Sequence, residues 1–276
     1  MKSEKKILLP LDGSESSLAA LVLAKSISIL LNMVVSILYV SDEDLCKEKL
    51  LQKLDLKKED LHKFIINHKK GNPAEIIIQE SENSSYVVMS THGTTKNMSI
   101  PTGSVSNTVI ENSNVPVLLI RPDMVLCFEE NLWKPKKALI PINGTPGAAQ
   151  ALSPAMKILT KVHSEIDLLH ISTSKIIPPG EPGTFTAPYY EDYPQHEWTH
   201  WSKEFLKRFG CVNDIKINIS LSKGDPGEEI IFFLKKNNND FIAMAWHGKL
   251  NSEHAKILRK IMFEAPCPIL LIKIIS

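Results

Sequence analysis

Val87-Val88-Met89-Ser90-Thr91-His92-Gly93, a nine-residue spacer, Gly103-Ser104-Val105-Ser106, and then Val115-Pro116-Val117-Leu118-Leu119-Ile120 form the stretch that decides the fold of this chain. The first run is apolar and β-branched, as expected for a buried strand running into a turn. The last run is a second apolar strand. Between them a polar loop ends in Gly-Ser, and the Gly-Ser opens a helix. A loop that delivers Gly-Ser-x-Ser to a helix start is an anion cradle, because free N–H groups and the positive end of the helix dipole face one point. Gly103 lets a backbone come close, and the hydroxyls of Ser104 and Ser106 add donors. The expected occupant is the phosphate group of a nucleotide.

Working outward, Ile7-Leu8-Leu9-Pro10-Leu11 reads as a short apolar strand ended by Asp12-Gly13-Ser14, a turn and helix N-cap signal. Asp12 thus stands where ligands bind in open α/β sheets. A helix follows to about Leu31, with Ala20, Leu23, Ala24, Ile27 and Leu31 at helical spacing. Val34 to Val40 is a second strand, residues 42–61 read as an exposed charged helix, and Phe64-Ile65-Ile66 is a third strand. Gly71-Asn72-Pro73-Ala74-Glu75 turns into a helix with proline near its first position.

The second part of the chain repeats this order. Lys137 to Thr145 aligns with Lys6 to Ser14, Leu169-His170-Ile171 with Leu38-Tyr39-Val40, and Gly224-Asp225-Pro226-Gly227-Glu228 with the Gly71 turn. His247-Gly248 aligns with His92-Gly93, and Cys267 to Ile272 with the last strand. Duplication of this order predicts two tandem open, mostly parallel five-stranded sheets, helices on both faces, related by a pseudo-two-fold axis. The expected organisation is a first domain over 1–122, a linker over 123–135 and a second domain over 136–276. The copies differ: Asn143 replaces Asp12, the loop after Gly248 is three residues shorter, and Ala255-Lys256 replaces Gly103-Ser104. A phosphate cradle is therefore expected only in the first copy. The second copy also carries an insertion over about 175–195, rich in Pro, Gly and Tyr.

The spacing of Gly93, nine residues, Gly103 and Ser104 resembles the universal stress protein family, whose nucleotide-binding members carry G-x-x-G, nine residues and G-[ST] before a C-terminal strand. Ser90 departs from that pattern by replacing the first glycine. The resemblance covers nearly the whole chain, in two copies, and implies a Rossmann-like, adenine nucleotide α-hydrolase-like fold. It also implies that single-domain relatives pair through their last strands, so that two fused copies form that pair within one chain. The expected ligand is ATP or another adenine nucleotide, with or without Mg²⁺. Asp12 is expected to accept a hydrogen bond from the adenine or ribose edge. The resemblance implies backbone contacts to adenine from Val40 and places Met89 along the base or sugar. Gly93, Gly103, Ser104, Val105 and Ser106 are expected around the phosphates, with Pro10 completing the site.

Nothing in the sequence looks built for fast hydrolysis. No G-x-x-x-x-G-K-[ST] supplies a phosphate-binding lysine, and no arginine or acidic pair lies beside the loop. A sensor or store, at most a slow ATPase, is the leading reading. An adaptor or small-ligand module of the same fold is the alternative. A third reading is a metal-dependent hydrolase through His196-Glu197-Trp198-Thr199-His200, an H-E-x-x-H match. On a helix, however, Trp198, Trp201, Phe205 and Phe209 fall on the opposite face, about 180° away at ~100° per residue. The aromatic face is the one to bury, which turns the histidines outward beside Lys203 and Lys207.

Apolar residues make up 43% of 276 residues, enough for two cores. The net charge of +1 recruits neither nucleic acid nor anionic membrane. The four cysteines are scattered with no C-x-x-C, so they read as thiols in a reducing compartment. No apolar run approaches a membrane span, and Met1 to Lys6 leads into a strand without an apolar leader, so a cytoplasmic protein is expected. Beyond the internal domain pair, a homodimer is the other assembly considered.

Overall fold

The computed structural model describes residues 5–54, 56, 64–91, 103–124, 126–142, 152–172, 215–250, 252 and 255–274. The first half supplies β1 (Lys6–Pro10), α1 (Glu15–Leu31), β2 (Val34–Val40), α2 (Lys47–Lys53), β3 (Phe64–Lys69), α3 (Pro73–Ser81), β4 (Tyr86–Ser90), α4 (Ser104–Asn112) and β5 (Val117–Ile120). A hairpin, β6 (Phe128–Glu129) and β7 (Leu132–Trp133), follows. The second half supplies β8 (Lys137–Ile142), α5 (Leu152–Leu159), β9 (Glu165–Ser172), β10 (Ile217–Lys223), α6 (Pro226–Lys236), β11 (Phe241–Trp246), α7 (Lys256–Glu264) and β12 (Ile269–Lys273).

The main strands form one ten-stranded sheet in the order β10-β9-β8-β11-β12-β5-β4-β1-β2-β3. Within each half the pairing is parallel, as β1 with β2 (Lys6↔Val34 to Pro10↔Leu38) and β8 with β9 (Lys137↔Glu165 to Ile142↔His170) show. The single antiparallel junction joins β12 to β5, with Ile269↔Leu119, Leu270↔Leu118 and Leu271↔Val117 in register. Antiparallel contact between two equivalent strands is what a two-fold axis between the halves produces. The last strands therefore meet inside this one chain.

Chemistry explains why the strands sit centrally. β4 and β5 are buried along their whole length, since both faces of a parallel sheet are covered by helices. Ile7, Leu8, Leu9, Ile37, Val87, Val88, Leu118 and Leu119 are all essentially removed from water, each contributing roughly 1.5–3 kcal/mol. Right-handed crossovers that step outward from β1 to β2, and back from β3 to β4, place α1 and the α3–α4 pair on opposite faces. Among the described residues no helix is long and apolar enough to cross a membrane.

Two local expectations change. Within the segment read as an exposed helix over 42–61, the described residues form α2, and Leu50, Leu51 and the C-cap Leu54 are buried. The charged residues around them mask three apolar side chains on one helix face, which pack inward because burying them outweighs solvating their neighbours. The stretch read as a linker contains the β6–β7 hairpin, turned through Glu130 and Asn131 at φ 52° and 63°. Positive φ at both turn residues suits the twist of a two-residue hairpin. Trp133 on β7 is fully buried, donates its backbone N–H to Ser26 Oγ at 2.8 Å and meets the Phe241 ring edge-on at 5.6 Å. The hairpin thus plugs the seam between α1 of one half and β11 of the other. Tyr86 crosses the same seam, its hydroxyl donating to Pro154 O at 2.9 Å, and burial holds that phenol well above its usual pKa.

Candidate functional site

The strand order reverses direction between β1 and β4, because β1 leads outward to β2 while β4 lies on its other side. Such a switch point leaves a crevice at the carboxyl ends of the strands. A cavity of about 250 Å³ occupies it. Pro10, Leu11 and Asp12 line it from the end of β1, Leu38 and Val40 from β2, Met89 and Ser90 from β4, and Ser17 from α1. Pro73 and Ile77 of α3 form one wall, and Gly103, Ser104, Val105 and Ser106 at the start of α4 form the other.

Eight of the nine expected site residues, Pro10, Asp12, Val40, Met89, Gly103, Ser104, Val105 and Ser106, therefore meet around one cavity. Gly93 lies outside the described residues, as do His92, Lys96, Asn143, the 175–195 insertion and the H-E-x-x-H run at 196–200.

Among the described residues, no side chain caps the start of α4. Gly103 is its N-cap, in extended conformation and with no side chain to satisfy the first turn. The helical ladder begins with Asn107 N donating to Gly103 O at 3.0 Å, so the N–H groups of Ser104, Val105 and Ser106 precede it. Gly103's own N–H donates to Thr91 O at 2.7 Å, which fastens the helix start to the end of β4. A Cβ at Gly103 would meet only Thr91 O at 3.7 Å and Ser106 Oγ at 4.0 Å, ordinary contacts, and the residue's φ is −66°. The fold itself does not require glycine here; its smallness is left to the cavity.

The two serines separate in role. Ser104 is exposed at the helix tip, as a donor to a ligand needs. Ser106 is buried, and its hydroxyl donates to Ser90 O at 3.2 Å and Thr91 O at 3.1 Å. The expectation that Ser106 offers a hydroxyl donor to the ligand is corrected: that hydrogen is shared between the carbonyls of Ser90 and Thr91 at the end of β4. Ser106 thereby holds α4 against the end of β4.

Asp12 stands exposed at the rim, and its Oδ1 accepts from Ser14 N at 3.0 Å and Ser14 Oγ at 2.6 Å. Ser14 in turn caps α1 by accepting from Ser17 N at 3.2 Å. The carboxylate is therefore oriented by the turn it closes. Gly13 between them has φ +78°, and a Cβ there would lie 2.7 Å from Lys53 O, so only glycine fits where α2 packs onto the turn. Lys53 is held beside this turn by Glu43 at 2.9 Å and lies over the Tyr39 ring; the Tyr39 hydroxyl and the Glu43 carboxylate push its ammonium pKa up. Leu38 O accepts from Leu11 N at 3.0 Å, and alternation along β2 turns the backbone of Val40 toward the same edge, just past the last β1–β2 pair.

Sequence reading missed Leu11, Ser17, Leu38, Pro73, Ile77 and Ser90 as lining residues. Pro73 and Ile77 carried a signal in the Gly71-Asn72-Pro73 helix start, where Asn72 Oδ1 accepts from Ala74 N at 3.0 Å. What the signal lacked was the packing of α3 beside α4. Among the described residues, no group of three or more His, Cys, Asp or Glu is placed to hold a metal ion.

Comparison with known proteins agrees with this architecture. The model of the universal stress protein family matches residues 42–121 and again 134–273. Universal stress protein MJ0531 of Methanocaldococcus jannaschii is 31% identical over 148 residues, spanning 52% of this chain and 84% of that protein. A universal stress protein of Archaeoglobus fulgidus superposes with a TM-score of 0.70 at 21% identity, covering 99% of both chains. The functionally unknown protein PA1789 of Pseudomonas aeruginosa gives 0.62 at 11% identity, over 98% of this chain and 93% of its own. With the family matched twice in succession, this chain belongs to the universal stress protein family as a tandem, two-copy member.

Proposed function

We propose that the first half binds an adenine nucleotide, ATP or a close relative, and that it acts as a sensor or regulatory store in the cytoplasm during stress. The observation that carries this reading is the meeting of an apolar slot with an open helix N-terminus at one switch-point cavity. Leu38, Val40, Met89 and Ile77 supply apolar lining suited to a purine. Asp12 accepts from a ribose hydroxyl at the rim. The N–H groups of Ser104, Val105 and Ser106, aided by the Ser104 hydroxyl, face the phosphates. Mg²⁺, if bound, would sit on the phosphates rather than on a protein cage.

The described lining contains one carboxylate, Asp12, and no lysine or arginine. Catalysed phosphoryl transfer depends on cationic groups that neutralise charge developing on the transferred group. The groups present suit holding a nucleotide more than turning it over. The domain limits 1–122, 123–135 and 136–276 belong to the same proposal, with the hairpin inside the middle segment acting as a structural joint.

The test is direct. Protein purified without added nucleotide is denatured and its released small molecules are resolved by ion-pair chromatography; apo-protein is then titrated calorimetrically with ATP, ADP, AMP and adenosine. The expected result is micromolar affinity for a phosphorylated form and weaker binding of adenosine. A flat titration for all four compounds at millimolar concentration overturns the reading.

A further inference from the structure

α4 is held at its two ends by different halves of the molecule. Its N-terminus is tied to β4 by Gly103 N and Ser106 Oγ. Its C-terminus is gripped by the second half at one residue, Glu111. Lys273 Nζ, at the end of β12, donates to Glu111 O, and Leu250 N donates to Glu111 Oε1 at 2.6 Å. The pseudo-two-fold repeats the first of these grips: Arg121, following β5, donates from Nη1 to Met262 O at 2.7 Å and from Nη2 to Ala265 O at 2.8 Å, at the end of α7. Each half thus sends a cation to the last carbonyls of the other half's final helix, where a positive charge complements the dipole.

The consequences differ between the halves. α7 starts at buried Ala255, so gripping its far end serves cohesion only. α4 starts at the cavity, which its Gly103, Ser104, Val105 and Ser106 line. Its nine residues make a rod about 13 Å long at 1.5 Å per residue, so a tilt at Glu111 re-aims the N–H groups of Ser104, Val105 and Ser106. From this we infer that Lys273 is a positioning residue for the nucleotide site of the first half, acting through Glu111 and α4 from the second half. The inference rests on the nucleotide reading for its ligand, and on the two grips at Glu111 for its geometry.

The test compares the intact chain with Lys273→Met, Lys273→Arg and Arg121→Met, each at a temperature where circular dichroism shows it folded. Affinities for ATP and for adenosine are measured by calorimetry, and the amide resonances of Ser104, Val105 and Ser106 by NMR. Lys273→Met is expected to weaken ATP about three- to tenfold, the effect of one charge on a helix terminus, and to leave adenosine unchanged, because only the phosphates meet α4. Lys273→Arg restores ATP binding, since arginine makes the mirror contact. Arg121→Met lowers Tm but keeps the ATP-to-adenosine ratio. Equal weakening of both ligands by Lys273→Met, or no weakening at all, overturns the inference. If wild-type protein binds neither ligand, the nucleotide reading fails separately. The amide resonances then decide: shifts at 104–106 in Lys273→Met but not in Arg121→Met support positioning, and unmoved resonances refute it.

Discussion

The starts of α4 and α7 occupy equivalent places in the two halves and have opposite fates. At α4 the N-cap is Gly103 in extended conformation, followed by exposed Ser104. At α7 the N-cap is Ala255 at φ −87° and ψ 4°, only 2% exposed, followed by Lys256. Ser106, whose hydroxyl ties α4 to β4, is replaced by Leu258, which is buried. Of the residues ahead of α7, Leu250 is 4% exposed, Arg259 Nη1 donates to the carbonyls of Leu250 and Ser252, and Leu250 N reaches Glu111 of the other half. A helix N-terminus can face a cavity or be packed under the residues that precede it. Among the described residues this chain does each once, and Leu250 of the packed copy reaches Glu111 of the other half.

That contrast can be broken most forcefully at Gly103. Gly103→Asp places a carboxylate where a phosphate is expected, and like-charge juxtaposition of several kcal/mol predicts a loss of ATP affinity on the order of 10²–10³-fold. Because a Cβ is tolerated there and aspartate is a good N-cap, Tm should stay level or rise. Calorimetry with thermal unfolding checks both, and retained affinity would refute the cradle.

The reverse signature is expected in the second half. Leu250→Ala removes a buried side chain from the packed loop, so urea unfolding should show a loss of about 2–4 kcal/mol. Affinity for ATP in the first half should change little, because the grip on Glu111 uses the backbone of Leu250. A neutral Leu250→Ala would mean that the loop is not sealed.

Finer discrimination comes from Ser104→Ala. Losing one hydroxyl donor to a charged group weakens ATP about tenfold, while adenosine binding and Tm hold. The smallest expected effect is that of Ala255→Gly combined with Lys256→Ser, which restores the Gly-Ser pair in the second half. No second binding site should appear in the titration stoichiometry, because the N–H of residue 255 still donates to Ser252 O, a carbonyl that Arg259 also holds. A stoichiometry of two would show that Ala255 and Lys256 alone separate the halves.

Much of this was visible in the residues themselves. Val34–Val40 and the 17-residue α1 fall where hydrophobic spacing puts them, and Asn72-Pro73 and Asp225-Pro226 mark helix starts that form in both halves. Capping and burial periodicity act over a few residues, so they can be read locally. The fold class follows from the repeated strand–helix alternation, and the candidate site follows from the Gly-Ser helix start together with Asp12.

Only tertiary structure decided the rest. Leu50, Leu51 and Leu54 turn inward although their neighbours are charged, Trp133 converts a linker into a plug, and Ser106 spends its hydroxyl on β4. Lys273 and Arg121 each sit at the end of a strand, yet their partners lie 162 and 141 positions away in the other half. Local sequence determines which backbone groups a helix end leaves open. Which side chain, loop or ligand answers them depends on what the fold brings alongside from far along the chain.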